Sequence, residues 1–197
     1  MKKSIIKDTL SLLAITIAAA LCLSLVHMLT SPKIAEAEAK EKTDSFYLVS
    51  ESAESFEAID ASEVDRFNEG RSGAYVVEAY EAKDGDGNFV GTVVSAVSHN
   101  GYGGDIVLSV GVGVDGPITG VRVTSMSETS GLGANCQDEE WIAQFKGQTA
   151  AEIGYVKNGD PGEGQIDAIT GATITTKAVI EAVNTAAAFC RAHADGR

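Results

Sequence analysis

Asp167-Ala168-Ile169-Thr170-Gly171-Ala172-Thr173, with Ile174-Thr175-Thr176-Lys177 directly behind it, is the stretch around which the rest of the chain is organised. A loop of glycines and acids, Asn158-Gly159-Asp160-Pro161-Gly162-Glu163-Gly164, precedes it. The residues after it, Ala178 to Phe189, read as a helix: Ile174, Ala178, Ile180, Val183 and Ala187 mark an apolar face at helical spacing. The threonines therefore lie where a flexible loop becomes a helix. The first N–H groups of a helix have no intrahelical partner and its macrodipole favours negative charge there, so a phosphate is well placed at that end.

A threonine at such a position most often caps its helix. Capping needs one hydroxyl, and it does not need the tight Gly171-Ala172 step or small neighbours that leave the hydroxyl open. Those features suit a hydroxyl that something bulky must reach. Asp-x-x-Thr-Gly-Ala-Thr resembles the flavinylation motif of the covalent FMN-binding domain family, whose last threonine carries FMN through a phosphodiester bond. In this sequence that residue is Thr173.

At the other end of the chain, Lys2, Lys3 and Lys7 precede an uncharged run of 22 residues, Thr9 to Thr30. At about 1.5 Å per residue the run spans roughly 33 Å, enough for a hydrocarbon core of ~30 Å. A cleaved signal peptide ending near Ala35-Glu36-Ala37 is the competing reading, but the run is longer than a usual signal core, which favours a retained anchor. Cys22, in mid-span, reads as a small apolar residue of the helix. Lysines before the span and acids after it predict a cytoplasmic N-terminus and an extracytoplasmic domain. Three of the 15 basic residues and one of the 28 acidic residues precede residue 31, leaving 27 acids against 12 bases, a net charge of −15. Such a surface argues against nucleic acid and against anionic lipid surfaces as partners.

Three segments are expected: residues 1–30 as cytoplasmic terminus and transmembrane helix, 31–45 as a stalk, and 46–197 as the folded domain. The stalk alternates charge with alanine and is expected to extend the helix after a break near Pro32. Residues 52–67 fit either a strand or a short helix. Strands are predicted over Ala74–Tyr80, Phe89–Ser98, Asp105–Val114 and Ile118–Met126, and a short helix over Asp138–Phe145 with Trp141 and Phe145 on one side. Asp84-x-Asp86-x-Asn88 resembles a calcium loop, yet Phe89 and Ser95 stand where glycine and a bidentate glutamate are required, so the segment reads as a hairpin turn. Gly111-Val112-Gly113-Val114-Asp115-Gly116 has the letters of a dinucleotide fingerprint, but a turn and a strand follow it instead of a helix. The expected fold is α+β: one transmembrane helix, then one mixed, mostly antiparallel domain. Cys136 and Cys190 could pair but form no framework, and the three scattered histidines argue against a metal site.

Two loops bear on function. His99-Asn100-Gly101-Tyr102-Gly103-Gly104-Asp105 combines backbone freedom with a flat ring, and Ser127-Glu128-Thr129-Ser130-Gly131-Leu132-Gly133-Ala134-Asn135 is a small-residue loop with one acid and one leucine. By composition each is an ordinary connection. Both are also similar to the same family, which has Gly-Tyr-Gly-Gly after a strand and Glu-Thr-Pro-Gly-Leu-Gly later; Ser130 stands where that family has proline. With the N-terminal anchor, the three motifs cover nearly the whole chain. The chain is most similar to the G subunits of the Rnf electron transport complex, with the homologous C subunits of sodium-translocating NADH:quinone reductase as the alternative.

The resemblance implies FMN attached at Thr173 by a separate flavin transferase, with Asp167, Thr170, Gly171 and Ala172 as the recognition segment. It implies electron relay among the membrane subunits of a complex that passes electrons between ferredoxin and NAD and moves sodium ions or protons. Gly101, Tyr102, Gly103 and Gly104, with Glu128, Thr129, Gly131, Leu132 and Gly133, are then expected to line the ring and ribityl chain. No catalytic acid–base pair is expected, because the cofactor carries the chemistry. A pilin-like structural protein is the reading of another class; it would carry a glutamate within the apolar helix, and here the only early acid, Asp8, lies before it. A reversible flavin-binding sensor is a third.

Overall fold

The computed structural model describes residues 2–149, 151–157 and 159–196; Met1, Ala150, Arg197 and the Asn158 of the predicted glycine-rich loop lie outside them. The chain divides into two compact units, residues 1–42 and 43–197. The described residues of the first are all helical and belong to helix α1, Lys2–Val49, whose apolar part is long enough to cross a membrane. Pro32 lies inside α1 and does not end it, contrary to the expected break. A proline costs about 3 kcal/mol in a helix interior, and the Ala, Glu and Lys residues that follow are strong helix formers that restart propagation.

In the second unit the residues left open between strand and helix turn out to be both: β1 is Ser55–Ala58 and α2 is Ala61–Asn68. Strands β2 (Ala74–Lys83), β3 (Phe89–Ser98), β4 (Ile106–Gly113) and β5 (Ile118–Ser125) then follow as predicted, β2 running three residues longer. The five strands form one antiparallel sheet in chain order. At the β2–β3 turn Asp84 accepts from the N–H groups of Asp86 and Asn88, which leaves it serving the hairpin. The side-chain and backbone hydrogen bonds from Asn88 hold that carboxyl below its usual range.

Every residue from Gly91 to Ser98 is buried, because β3 is covered on both faces. Its sequence carries no charge and only small polar residues among valines and alanine, which such a strand can bury on both faces. On one face lies helix α4, Thr173–Asp195, packed across β2, β3 and β4. Ala178, Ala182 and Ala186 are fully buried there beside Val179 and Val183, and these small residues bring the helix close to Val94, Leu108 and Val110 of the sheet. On the other face the last turns of α1 place Phe46 and Val49 over Val93 and Ala82.

The single helix predicted over Asp138–Phe145 is instead a chain of short turns: a 3-10 turn at Gly133–Gln137, helix α3 at Glu139–Ile142 and another 3-10 turn at Ala143–Phe145. Trp141 and Phe145 do share a side, with ring centroids 5.5 Å apart. Two three-residue strands absent from the sequence reading, β6 (Gly154–Val156) and β7 (Gln165–Asp167), pair in parallel and deliver the chain to α4. Cys136 and Cys190 are both buried and unpaired.

Candidate functional site

Between β7 and α4 the chain makes one tight turn. The Ala172 N–H donates to the Ile169 carbonyl at 3.0 Å, and Gly171, third in the turn, has φ +77°, a conformation glycine adopts without penalty. Thr176, fully buried, fixes this turn from inside: its hydroxyl accepts from Ile169 N–H at 3.1 Å and donates to the Ala172 carbonyl at 3.0 Å. The result is that α4 begins on Ala172, with no side-chain cap. The eight-residue α2, by contrast, is capped by Asp60, which accepts from Ser62 N–H at 2.8 Å.

Thr173 is thus the first residue of α4 and does not cap it. Its hydroxyl makes no hydrogen bond among the described residues, and the residue lines a cleft of about 500 Å³. That volume lies within the usual range for cofactor sites. Gly171, Ala172 and Thr173 form one side of the cleft; Tyr102 comes from the β3–β4 loop; Glu128, Thr129, Leu132 and Gly133 come from the loop after β5. The three motifs, far apart in sequence, therefore meet at one place. Ile174 and Thr175 line the cleft as well, and the sequence reading missed both. The helical spacing sets Ile174 on the apolar face of the helix, but it is 52% exposed. Its position immediately after Thr173 was the available signal.

The remaining predicted residues stand behind or beside the cleft. Gly103 packs so closely on the Ser127-Glu128 backbone that a Cβ there would collide with it, a Cβ on Gly101 would collide with the Gly104 carbonyl of its own loop, and Gly104 takes φ +119°. His99 and Asp105 close the base of this loop, Nδ1 to Oδ1, at 2.6 Å. Gly131 is exposed with φ +75°, and Thr170 is exposed outside the cleft. Asp167 ends β7: its N–H donates to Gln144 Oε1 at 2.7 Å and its carbonyl accepts from Trp141 Nε1 at 2.8 Å. Its carboxylate oxygen Oδ1 is buried without a partner among the described residues, a costly arrangement that calls for a reason.

Glu128 spends both oxygens on protein donors: Oε1 accepts from Gly103 N–H at 3.0 Å and Oε2 from the Thr175 hydroxyl at 2.7 Å. Around the cleft mouth Tyr102, Leu132 and Ile174 expose large apolar surfaces. A flat apolar ring fits among these side chains, and an anionic group fits the uncapped helix end beside Thr173. The residues present suit FMN.

The domain is, in class, an FMN-binding domain on an N-terminal helix of membrane-spanning length: the FMN-binding domain family matches residues 101–188, and the RnfG N-terminal region matches residues 1–49, the end of α1. The chain is 35% identical over 187 residues to the G subunit of the Na(+)-translocating ferredoxin:NAD(+) oxidoreductase complex of Acetobacterium woodii, covering 92% of this chain and 89% of that protein. It is also 35% identical to the G subunit of the ion-translocating oxidoreductase complex of Methanosarcina acetivorans, covering 96% of each. Among solved structures it is similar to NqrC of Shewanella oneidensis, with a TM-score of 0.51 and 26% identity over 61% of each chain. The C subunit of the Na(+)-translocating NADH-quinone reductase of Parabacteroides distasonis shares the fold, with a TM-score of 0.54 at 20% identity over 79% of this chain and 92% of that one. The chain belongs to the G-subunit family of the ion-translocating oxidoreductase (Rnf) complexes.

Proposed function

We propose that this chain relays electrons through FMN joined by a phosphodiester to Thr173, as a membrane-anchored component of an ion-translocating ferredoxin:NAD oxidoreductase complex. The observation that carries the reading is Thr173: its hydroxyl has no protein partner among the described residues, and the residue lines the cleft where three motif loops meet, on a helix end without a cap. When bound, FMN supplies the electron-accepting and electron-donating chemistry. The chain's own residues hold and orient it. The first N–H groups of α4 would hold the phosphate, and Tyr102, Leu132 and Ile174 would offer apolar contact to the ring. Asp167, Thr170, Gly171 and Ala172 are the segment that would present the attachment hydroxyl to a flavin transferase. No pair of side chains in the cleft is asked to move a proton.

On this reading residues 1–30 cross the membrane with the N-terminus in the cytoplasm, and the folded domain lies outside, where a tether prevents loss of the cofactor by dilution. The other proteins of the complex are its partners. The attachment test is expression in a host with the flavin transferase, acid denaturation and electrophoresis. The wild-type band is expected to fluoresce as flavin and the Thr173→Ala band to be dark; a fluorescent Thr173→Ala band would refute the linkage.

A further inference from the structure

We propose that Glu128 is a positioning residue whose fixed negative charge holds down the reduction potential of the flavin in this cleft; the proposal rests on the cleft being the flavin site. The carboxylate joins elements remote in sequence, bonding Gly103 N–H at 3.0 Å and the Thr175 hydroxyl at 2.7 Å while itself lining the cleft that Thr173 faces. Two glycines are required by its placement. A Cβ on Gly101 would come within 2.8 Å of Oε1, and one on Gly133 would strike Oε2 and come within 2.6 Å of the Thr175 hydroxyl.

Both of its partners are neutral, and none of the ion pairs among the described residues includes Glu128. Its charge is therefore oriented but not cancelled. That charge is felt nearby: the Cys136 thiol is pushed up to about 11, chiefly by burial and next by the Glu128 carboxylate. An electron delivered to the flavin adds a negative charge to the cleft unless a proton enters with it. A carboxylate lining the same partly desolvated space disfavours that addition, since like charges in reduced dielectric repel more strongly than in water. The site then favours handing electrons on over retaining them. Clamping alone would not require a charge, because a neutral amide could bridge the same two groups.

Redox titration of the full-length, flavin-loaded protein separates these roles. In Glu128→Gln the amide oxygen can accept from Gly103 N–H and the amide nitrogen can donate to Thr175 Oγ1, so the clamp persists without its charge. The bound flavin is expected to titrate at a higher potential than in the wild type, with the melting temperature of the flavin-free protein nearly unchanged. Thr175→Val keeps the charge and removes one donor, so its potential is expected at or below that of the wild type. An unchanged or lowered potential in Glu128→Gln overturns the proposal, as does a rise in Thr175→Val, which would mark simple loosening of the site. Covalent flavin on the wild-type chain is read first: its absence in a host with the transferase counts against the site, whereas a loaded Glu128→Gln protein with unaltered potential counts against Glu128 alone.

Discussion

Asp167 illustrates how a residue can be kept at the expense of the folded state. Its backbone is held at both ends, by Gln144 and Trp141, yet one carboxylate oxygen is buried with no donor. An unsatisfied buried acceptor costs about 1–3 kcal/mol. Deleting it forfeits no hydrogen bond of that atom and leaves the two backbone bonds in place. Asp167→Ala is therefore expected to leave the melting temperature of the flavin-free domain unchanged or raised, and to reduce the fraction of chains that acquire flavin in a host with the transferase. A destabilised domain with normal flavin content would assign Asp167 to the fold instead of to attachment. Thr176 is the counterpart: its hydroxyl is satisfied twice and shapes the turn that puts Thr173 at the first helical position.

The last turns of α1 are an element of the domain. Gly111 and Gly120 are paired across β4 and β5 on the sheet face opposite α4, and a Cβ on either would collide with Val49. The glycines leave a groove in which the end of the helix lies, with Ser45 bonded to Ser109 at 2.9 Å, Thr119 donating to the Val49 carbonyl, and Phe46 against Tyr80 at 5.0 Å between centroids. Burying Phe46 and Val49 contributes about 1.5–3 kcal/mol each, roughly 3–6 kcal/mol together. A soluble fragment beginning at Thr43 is expected to unfold cooperatively in urea, and one beginning at Glu51 to be less stable by that order; equal midpoints would mean the helix end is dispensable. None of this docking was legible in the sequence, where Gly111 attracted notice only as part of a false fingerprint. Long strands with sustained apolar runs were legible, as was α4, because periodicity over ten or more residues is a strong signal. The three-residue strands β6 and β7 carry no period, and the turns from Gly133 to Phe145 are set by tertiary packing. The motif loops were readable as candidates. Their meeting at Glu128 was not, since it depends on contacts 25 and 47 residues apart in the chain.

At the scale of the whole domain, one sheet separates two cores, with α4 on one face and the end of α1 on the other. The core beneath α4 includes two free thiols, Cys136 and Cys190. Burial pushes Cys136 up to about 11, with Glu128 adding to the shift, and pushes Cys190 up to about 12, both from an ordinary value of 9.0. Thiolates are the reactive form, so neither cysteine should react with a thiol reagent at neutral pH until the domain unfolds. The sign of the pH effect follows from linkage. The folded state holds the thiol protons more tightly than the unfolded state, so this contribution is complete below pH 9 and is lost as pH rises from about 9 towards 11 and 12. Within that window each thiol steepens the fall in stability by up to about 1.4 kcal/mol per pH unit. Urea unfolding of the Cys136→Ala/Cys190→Ala domain at a series of pH values above 9 is expected to give a shallower decline than the wild type, whatever its stability at neutral pH. Parallel declines, or labelling of either cysteine in the folded domain at neutral pH, would mean that the thiols are not sealed in the core against which α4 is held.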